Sequence, residues 1–260
     1  DSVPEMVSES LSSLLAGVII TIVFLIFRAL FAVTPYGNAT DCIYTIIQTP
    51  LQSLTGNLPA FIIIILIAQL LWFFGIHGSM TVLPILFPIW LSYIGDNTAA
   101  MAAGKTIPHV LNIGLWDLAN LGGSGATIGL VILMFFKAKS NQYKSFGKLT
   151  LPCGIFSVNE PVIFGLPVIL NPIMLIPFII CPIVLVCLGY ALIQFGIVTA
   201  PIGILGLGSM PPLISGIMQG SLSWGIYQLV AVVISIIIYY PFFKTIDNQA
   251  LAKEKGEQGE

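Results

Sequence analysis

The chain has 260 residues, of which 57% are hydrophobic and only 8% are charged, with a net charge of −2 and a mean hydropathy of +1.01. Soluble domains carry about 25% charged residues, so this composition excludes a soluble globular protein. The lone arginine, Arg28, and the lack of a basic stripe argue against a nucleic-acid partner. The composition therefore predicts an all-α membrane protein embedded in a lipid bilayer.

Five apolar segments have about the length that a membrane-spanning helix needs, which is roughly 20 residues. In chain order they are Leu11–Val33, Leu58–Ile76, Ala119–Phe136, Ile173–Gln194 and Leu222–Phe243. The fourth contains Pro177 and Pro182, which a membrane helix tolerates when neighbouring groups satisfy the freed carbonyls. The sequence thus predicts about five transmembrane helices.

Three further apolar segments are broken by proline and glycine and look unfit to span. They are Val82–Ile94, Leu149–Leu170 and Phe195–Gly220. Irregular backbone at membrane depth persists only where it is buried in protein or lines a watery cavity. We expect re-entrant helical hairpins and a short amphipathic or broken segment here, because transporters build substrate sites from such elements.

The charged residues predict the orientation and the domain limits. The loop Lys137–Lys148 has four lysines and no acid, so it is expected to be cytoplasmic. Two spans further on, a polar tail at 244–260 should return to the cytoplasm, after a membrane domain at 1–243. Counting three spans backward puts Asp1 outside. The polar start without Met predicts the C-terminal part of a longer polytopic protein, with a natural half-length chain as the alternative.

No metal or cofactor site is expected. The four cysteines form no CxxC pair, and the chain has only two histidines, His77 and His109. The glycine-rich run Leu121–Gly129 does not match a nucleotide-binding fingerprint, because Ile128 stands where a glycine is required. It contains Gly125-x-x-x-Gly129 instead, which predicts a small-residue face for close helix packing.

Glu160 is the only charged side chain between Lys148 and Lys244. An ionisable residue in such apolar surroundings is a candidate functional residue. With Pro161 after it and Ser157 or Asn159 as a cap, Glu160 is predicted to begin a short helix within the membrane. A carboxylate and an amide at a helix start suit a hydroxylated ligand such as a sugar. The alternative is a structural ion pair with Lys105 or Arg28.

His77 is flanked by glycine at positions 75 and 78, at the end of the second predicted span. It is predicted either to hydrogen-bond the substrate together with Glu160 or to anchor the helix at the membrane surface.

Polar and aromatic residues before the third and fifth spans are further candidates for sugar binding. They are Asn112, Asp117, Asn120 and Trp224. A belt of residues at the membrane interface explains the same pattern, because tryptophan is enriched there.

The run Asn159-Glu160-Pro161-Val162-Ile163-Phe164-Gly165-Leu166-Pro167, with Gly122–Leu130 and Ile76-His77-Gly78, closely resembles the EIIC membrane subunit of sugar phosphotransferase systems. The lactose, cellobiose and diacetylchitobiose branch is the nearest. The resemblance covers nearly the whole chain and corresponds to the C-terminal, substrate-binding part of such a subunit.

This resemblance implies a permease of the cell (inner) membrane that carries a disaccharide and presents its hydroxyl to a phosphocysteine on a cytoplasmic EIIB partner. Glu160 then matches the family's essential glutamate, His77 its histidine and Asn159 a sugar-contacting position. The chain needs no nucleophile of its own, and the full-length subunit is expected to be a homodimer. Two alternatives stay open: a proton-coupled sugar carrier without phosphorylation, and a membrane sensor that binds sugar without moving it.

Overall fold

The structure is a computed structural model that describes residues 5–43, 45–46, 56–166 and 168–257. Regular structure in these ranges is helical, which confirms the all-α prediction. The chain divides into two compact units, 1–53 and 54–260. The first unit contains α1 (Glu5–Ala32) and α2 (Ala39–Ile43).

The second unit contains nine helices within its described residues. They are α3 (Leu58–Phe73), α4 (Gly78–Ala102), α5 (Ile113–Ala119), α6 (Ile128–Lys137), α7 (Asn141–Ile155), α8 (Glu160–Gly165), α9 (Pro172–Gln194), α10 (Ile214–Met218) and α11 (Leu222–Glu257), with a 3-10 turn at Leu207–Ser209.

Four described helices are long and apolar enough to cross a membrane. They are Leu14–Ala32 within α1, α4, α9 and Leu222–Gly256 within α11. The first, fourth and fifth predicted spans are therefore confirmed as helices of spanning length. The second predicted span is the shorter helix α3, and the third is not one helix. In contrast, Val82–Ile94 lies inside the 25-residue helix α4, with Pro84 and Pro88 in its interior.

Helices α3 and α4 form an antiparallel hairpin. A Cβ atom on Gly78 would collide with the backbone of Ala68, so the missing side chain lets the two helices approach closely. Farther from the turn, the rings of Phe61 and Trp90 are 6.4 Å apart. His77 therefore lies at the turn of a hairpin and not at the outer end of a separate span.

The direction of α3 relative to α11 differs from the prediction. Five alternating spans would make the two helices antiparallel. The Leu170 amide donates to the Phe73 carbonyl (3.1 Å), while Gly56 and Gln194 line one cavity, so α3 is antiparallel to α9. Helix α9 is in turn antiparallel to α11, whose Tyr227 hydroxyl donates to the Leu185 carbonyl (2.5 Å). Helices α3 and α11 therefore run in the same direction. The predicted side of Asp1 lies outside the described residues.

The third predicted span is wrong because the backbone turns sharply between α5 and α6. Gly122, Gly123, Gly125 and Ala126 all have positive φ angles, which a right-handed helix cannot contain. The predicted close packing is confirmed at Gly129, where a Cβ atom would collide with the backbone of α11. This close approach packs α6 against α11.

Polar side chains of other helices bind the carbonyls of this turn. Ser235 Oγ donates to the Ala126 carbonyl and the Tyr239 hydroxyl to the Gly125 carbonyl, each at 2.7 Å. Asn159 Nδ2 donates to the Ser124 carbonyl, also at 2.7 Å. Irregular backbone inside a membrane protein needs such internal partners, so these bonds fix the turn in the buried core.

Helix α11 continues without a break from the apolar span to Glu257, within the segment predicted as a polar tail. The carboxylate of Asp247 accepts from the Lys139 amide (2.8 Å) and the Ser140 amide (3.0 Å). Glu254 accepts from the amides of Asn141 and Gln142 at 3.0 and 2.9 Å. The lysine-rich loop and the end of α11 therefore lie at the same end of the bundle.

Candidate functional site

One open pocket of about 300 Å³ brings together five of the seven predicted site residues. Its lining comprises Trp72, His77, Ser79, Met80, Leu83, Trp116, Asp117, Asn120, Gly123, Ser124, Ser157, Val158, Asn159, Glu160, Gly206, Gly208 and Ser209. These residues come from the α3–α4 hairpin, the α5–α6 turn, the start of α8 and the segment around the 3-10 turn. The broken elements thus converge on one polar cavity.

Glu160 is the first residue of α8, and Pro161 follows it in the first turn, as predicted. Asn159, one of the two predicted caps, occupies the N-cap position, but its side chain makes no capping hydrogen bond. Ser157 Oγ accepts from the Gly122 amide (3.2 Å). The Glu160 side chain is 47% exposed. It therefore opens into the pocket and is not sealed in a dry bundle.

His77 caps α4 with its side chain. The Met80 amide donates to His77 Nδ1 (3.1 Å), so Nδ1 is an acceptor and the neutral ring carries its proton on Nε2. The ring lies against Trp72, with centroids 4.2 Å apart. These contacts fix both the orientation and the tautomer of His77.

The Nε2 atom of His77 lies 3.6 Å from Oε1 of Glu160. This distance exceeds that of a direct hydrogen bond. Within residues 56–166 and 168–257, Glu160 pairs with this histidine and with no lysine or arginine. A donor and an acceptor thus face the same space, where a hydroxyl group can bond to both.

A hydrogen-bond network fixes the pocket wall beside His77. Trp72 Nε1 donates to Ser124 Oγ (2.8 Å), and the hydroxyls of Ser79 and Ser124 are 3.0 Å apart. Ser124 Oγ donates to Asn120 Oδ1 (3.2 Å), while Asn120 Nδ2 donates to the Trp116 carbonyl (2.8 Å). The predicted residue Asn120 thus joins the α5–α6 turn to the hairpin.

Asn159 is almost fully buried behind Glu160. Its Nδ2 donates to the Ser124 carbonyl and to Thr127 Oγ1 (3.1 Å). A Cβ atom on Gly123 would collide with the Asn159 side chain, so a glycine is required there. Asn159 therefore anchors the start of α8 to the turn, as well as lining the pocket.

Asp117 is the second carboxyl group that lines the pocket. Its Oδ2 atom is buried and accepts no hydrogen bond from the residues that the structure describes. A Cβ atom on Gly208 would collide with this carboxylate, so the 3-10 turn packs directly over it. Leaving a buried acceptor unsatisfied is costly.

Asn112 and Trp224 do not line this pocket. Asn112 is a structural cap: its Nδ2 donates to the carbonyls of His109 and Pro201, and its Oδ1 accepts from the Gly114 amide. Trp224 is fully buried and packs on Tyr227. Residue type alone suggested sugar contacts for both, but their bonding and packing are internal.

Among the pocket residues that were not predicted from the sequence, three support His77. Trp72, Ser79 and Ser124 form the network that supports His77. The signal was present, since Trp72 and Ser79 lie within the apolar run that contains His77. However, the sequence positions of uncharged residues do not show which of their side chains will contact one another in the fold.

A larger cavity of about 630 Å³ lies at the end of the bundle near Lys105 and Gln194. Its lining contains neither a carboxylate nor an aromatic ring. A sugar site needs convergent polar groups and a flat apolar face, so volume alone does not favour this cavity.

A second histidine–carboxylate pair lies outside the pocket. His109 Nε2 is 2.9 Å from Asp96 Oδ2, and the ring stacks on Tyr93 with centroids 4.0 Å apart. The buried Asn97 bonds the backbone of His109 through both its amide atoms. This pair fixes the loop after α4.

Comparison with known proteins identifies relatives along nearly the whole chain. The family described as phosphotransferase system, EIIC, matches residues 1–182. The chain is 38% identical to the lichenan permease IIC component of Bacillus subtilis (strain 168), over 98% of this chain and 57% of that protein. It is 36% identical to the lactose-specific EIICB component of Lacticaseibacillus casei, over 72% of this chain and 33% of that protein.

A solved structure has the same fold. It is the transporter ChbC, the IIC component of an N,N'-diacetylchitobiose-specific phosphotransferase system. The TM-score is 0.78 and the identity 38%, covering 98% of this chain and 60% of that one. This chain therefore spans less than two thirds of the length of the relatives that it matches.

Proposed function

The chain belongs to the phosphotransferase system EIIC family, and we propose that it forms the sugar-binding part of a membrane permease for a disaccharide of the cellobiose, diacetylchitobiose or lactose type. The observation that carries this proposal is the single pocket where His77, Asp117, Asn120, Asn159 and Glu160 converge. A cavity with several convergent polar groups and aromatic walls suits a sugar.

Glu160 and His77 are proposed to bind the hydroxyl that becomes phosphorylated. The 3.6 Å gap between Oε1 and Nε2 lets a hydroxyl donate to the carboxylate and accept from the imidazole. As the oxygen attacks phosphorus, Glu160 takes its proton and acts as a general base. His77 orients the oxygen and stabilises its developing negative charge.

The rest of the pocket is proposed to position the sugar rings. Asp117 contributes its carboxyl group to the lining, where it can bond a second hydroxyl. Trp72 and Trp116 supply aromatic surface in the lining, while Asn120 and Asn159 supply amides. Because phosphoryl transfer depends mainly on positioning and charge stabilisation, such a site needs no metal of its own to hold the acceptor.

The phosphoryl donor is proposed to be the phosphocysteine of a cytoplasmic EIIB partner. The described lining of the pocket contains no cysteine, so a phosphocysteine donor would lie outside it. The relative named EIICB supports a functional link between the two modules. We place the lysine-rich loop and the end of α11 on the cytoplasmic side, because lysine-rich loops favour it and the two segments contact each other. The full-length subunit is proposed to be a homodimer in the cell (inner) membrane.

Reconstitution of the full-length protein in vesicles tests this function. Radiolabelled cellobiose, lactose and diacetylchitobiose are offered outside, with EIIB and its phosphoryl donors enclosed. Accumulation of a phosphorylated sugar that requires EIIB is expected for at least one of them. Binding without any accumulation would instead identify a sensor.

A proton-coupled carrier is distinguished in the same vesicles. A protonophore should leave phosphorylation-coupled uptake intact but abolish uptake that uses Glu160 as a proton site. Uptake without EIIB that collapses with the protonophore would contradict the proposal.

A further inference from the structure

A small basic pocket lies between the ends of α6 and α11, away from the candidate sugar site. It has a volume of about 120 Å³ and is lined by Lys137, Lys139, Tyr240, Phe243, Lys244, Asp247 and Asn248. In the part of the chain that the structure describes, none of its three lysines forms a salt bridge. Like charges around a small volume repel one another, so an anion between the lysines would be stabilised.

The one carboxylate in this pocket is already engaged. Asp247 is buried, and it accepts from the amides of Lys139 and Ser140 and from Ser140 Oγ at 2.7 Å. It thereby holds the start of α7. Burial and then the nearby Asp247 carboxylate raise the pKa of Tyr143 above its usual value, so this phenol adds no charge near neutral pH. The pocket therefore stays net positive.

The pocket adjoins apolar surface on both helices. Phe136, directly before Lys137, is 69% exposed, and Ile237, one turn before Tyr240, is 66% exposed. These side chains belong to helices that carry apolar, membrane-type sequence. Lysines at this level meet phospholipid headgroups, and aromatic residues are favoured there. A ligand of this pocket can thus place a charged group among the lysines and an apolar chain along the helices.

We propose that Lys137, Lys139 and Lys244 bind the phosphate of an anionic phospholipid headgroup. The volume suits one phosphate group, since a water molecule takes about 30 Å³ in the liquid, and it is too small for a protein segment. Free inorganic phosphate carries the same anionic group as the lipid headgroup, but it has no acyl chain to cover Phe136 and Ile237. A bound lipid at this site would link α6 to α11.

Native mass spectrometry of the delipidated full-length protein tests this site. Phosphatidylglycerol, phosphatidylcholine and inorganic phosphate are titrated separately. Each lysine near a membrane surface contributes about fivefold in affinity for anionic lipid. Lys244→Gln should therefore weaken phosphatidylglycerol binding about fivefold, and the triple variant K137Q/K139Q/K244Q on the order of a hundredfold. Phosphatidylcholine should bind weakly to every variant.

The matched control is K144Q/K148Q/K253Q, which loses the same charge from exposed positions outside the pocket. It should bind phosphatidylglycerol nearly as well as wild type, and sugar affinity should be unchanged in both sets as a check on folding. Equal losses in the two sets would overturn the proposal. Inorganic phosphate that binds as tightly as phosphatidylglycerol would also overturn it. A triple variant that still binds the lipid but loses EIIB-dependent turnover would overturn it too, because the lysines would then serve a protein partner.

Discussion

The His77–Glu160 pair and the His109–Asp96 pair use the same chemical groups in opposite settings. His109 makes a direct contact with Asp96 at 2.9 Å, and its ring stacks flat on Tyr93. His77 stands 3.6 Å from Glu160, and both side chains face a pocket with further polar groups. His109 and Asp96 bond each other directly, whereas His77 and Glu160 leave a donor and an acceptor free to bond a ligand.

This difference teaches how a binding site is distinguished from a structural contact. Around His109, Asn97 bonds the backbone amide and carbonyl of the same residue, so the polar groups there are matched. Around Glu160, the same cavity is lined by Asp117, whose Oδ2 atom has no hydrogen-bond partner among the described residues. Unmatched groups that share one open volume favour a ligand, and matched groups favour stability.

The largest expected effect is that of Glu160→Gln. It removes the proposed general base, which typically contributes 10² to 10⁴ in rate, so EIIB-dependent sugar phosphorylation should fall by about that factor. Asp96→Asn is the matched control and should retain nearly full activity. Phosphorylation rates of reconstituted full-length protein provide the measurement. Normal turnover by the glutamine variant would remove the central role of Glu160.

His77→Gln should reduce phosphorylation by roughly 10- to 100-fold, because the Nε2 proton no longer orients the reacting oxygen. Stability should change little, since glutamine can still accept from the Met80 amide. His109→Gln is the control for loss of a histidine and should leave the rate unchanged. If His109→Gln were the more damaging of the two, the assignment of the pairs would be reversed.

Asp117→Asn should weaken sugar binding by up to about 10-fold, because a hydrogen bond typically contributes about 0.5–1.5 kcal/mol. Isothermal titration of the full-length protein with its preferred disaccharide measures the change. Asn112→Asp serves as a comparison outside the pocket, where any effect should be on stability. Unchanged affinity in Asp117→Asn would show that the sugar does not reach this carboxylate.

Asn97→Ala should lower the free energy of unfolding by about 1–3 kcal/mol, because the His109 amide and the Ile202 carbonyl lose their bonds to Asn97. Sugar affinity should be unaffected. Thermal unfolding and sugar titration of the same sample separate the two effects. A loss of affinity without a loss of stability would place this region in the binding site.

The smallest effect is expected for the stability of His109→Gln, at less than about 1 kcal/mol. Both side chains of this ion pair are partly exposed, at 33% and 65%, and exposed pairs contribute little. Chemical denaturation in detergent gives the value. A loss of several kcal/mol would mean that the pair is far better shielded from solvent than its exposure indicates.

The sequence predicted the residues with an isolated chemical character better than those whose role depends on packing. Glu160 and His77 stood out because charge and imidazole are rare in apolar segments. Asn112 and Trp224 looked equally suitable for a sugar, but one caps α5 and the other is buried. An amide or indole carries no sequence signal that separates these roles.

The helices were predictable where the apolar run was uninterrupted. Helices α9 and α11 matched, although α9 contains Pro177 and Pro182 and α11 contains Pro241, because their apolar runs are long enough to span. Helix α4 was missed, since Pro84 and Pro88 suggested a break that the packed hairpin tolerates. The opposite error occurred between α5 and α6. The apolar run there predicted one continuous helix, but several residues have positive φ angles that interrupt it.

The most direct test is a structure of the full-length protein with its disaccharide bound. The account predicts one sugar hydroxyl within about 2.6–3.2 Å of both Glu160 Oε1 and His77 Nε2, with a second hydroxyl on Asp117. A sugar seated instead in the larger cavity beside Lys105, with Glu160 and His77 free, would contradict it.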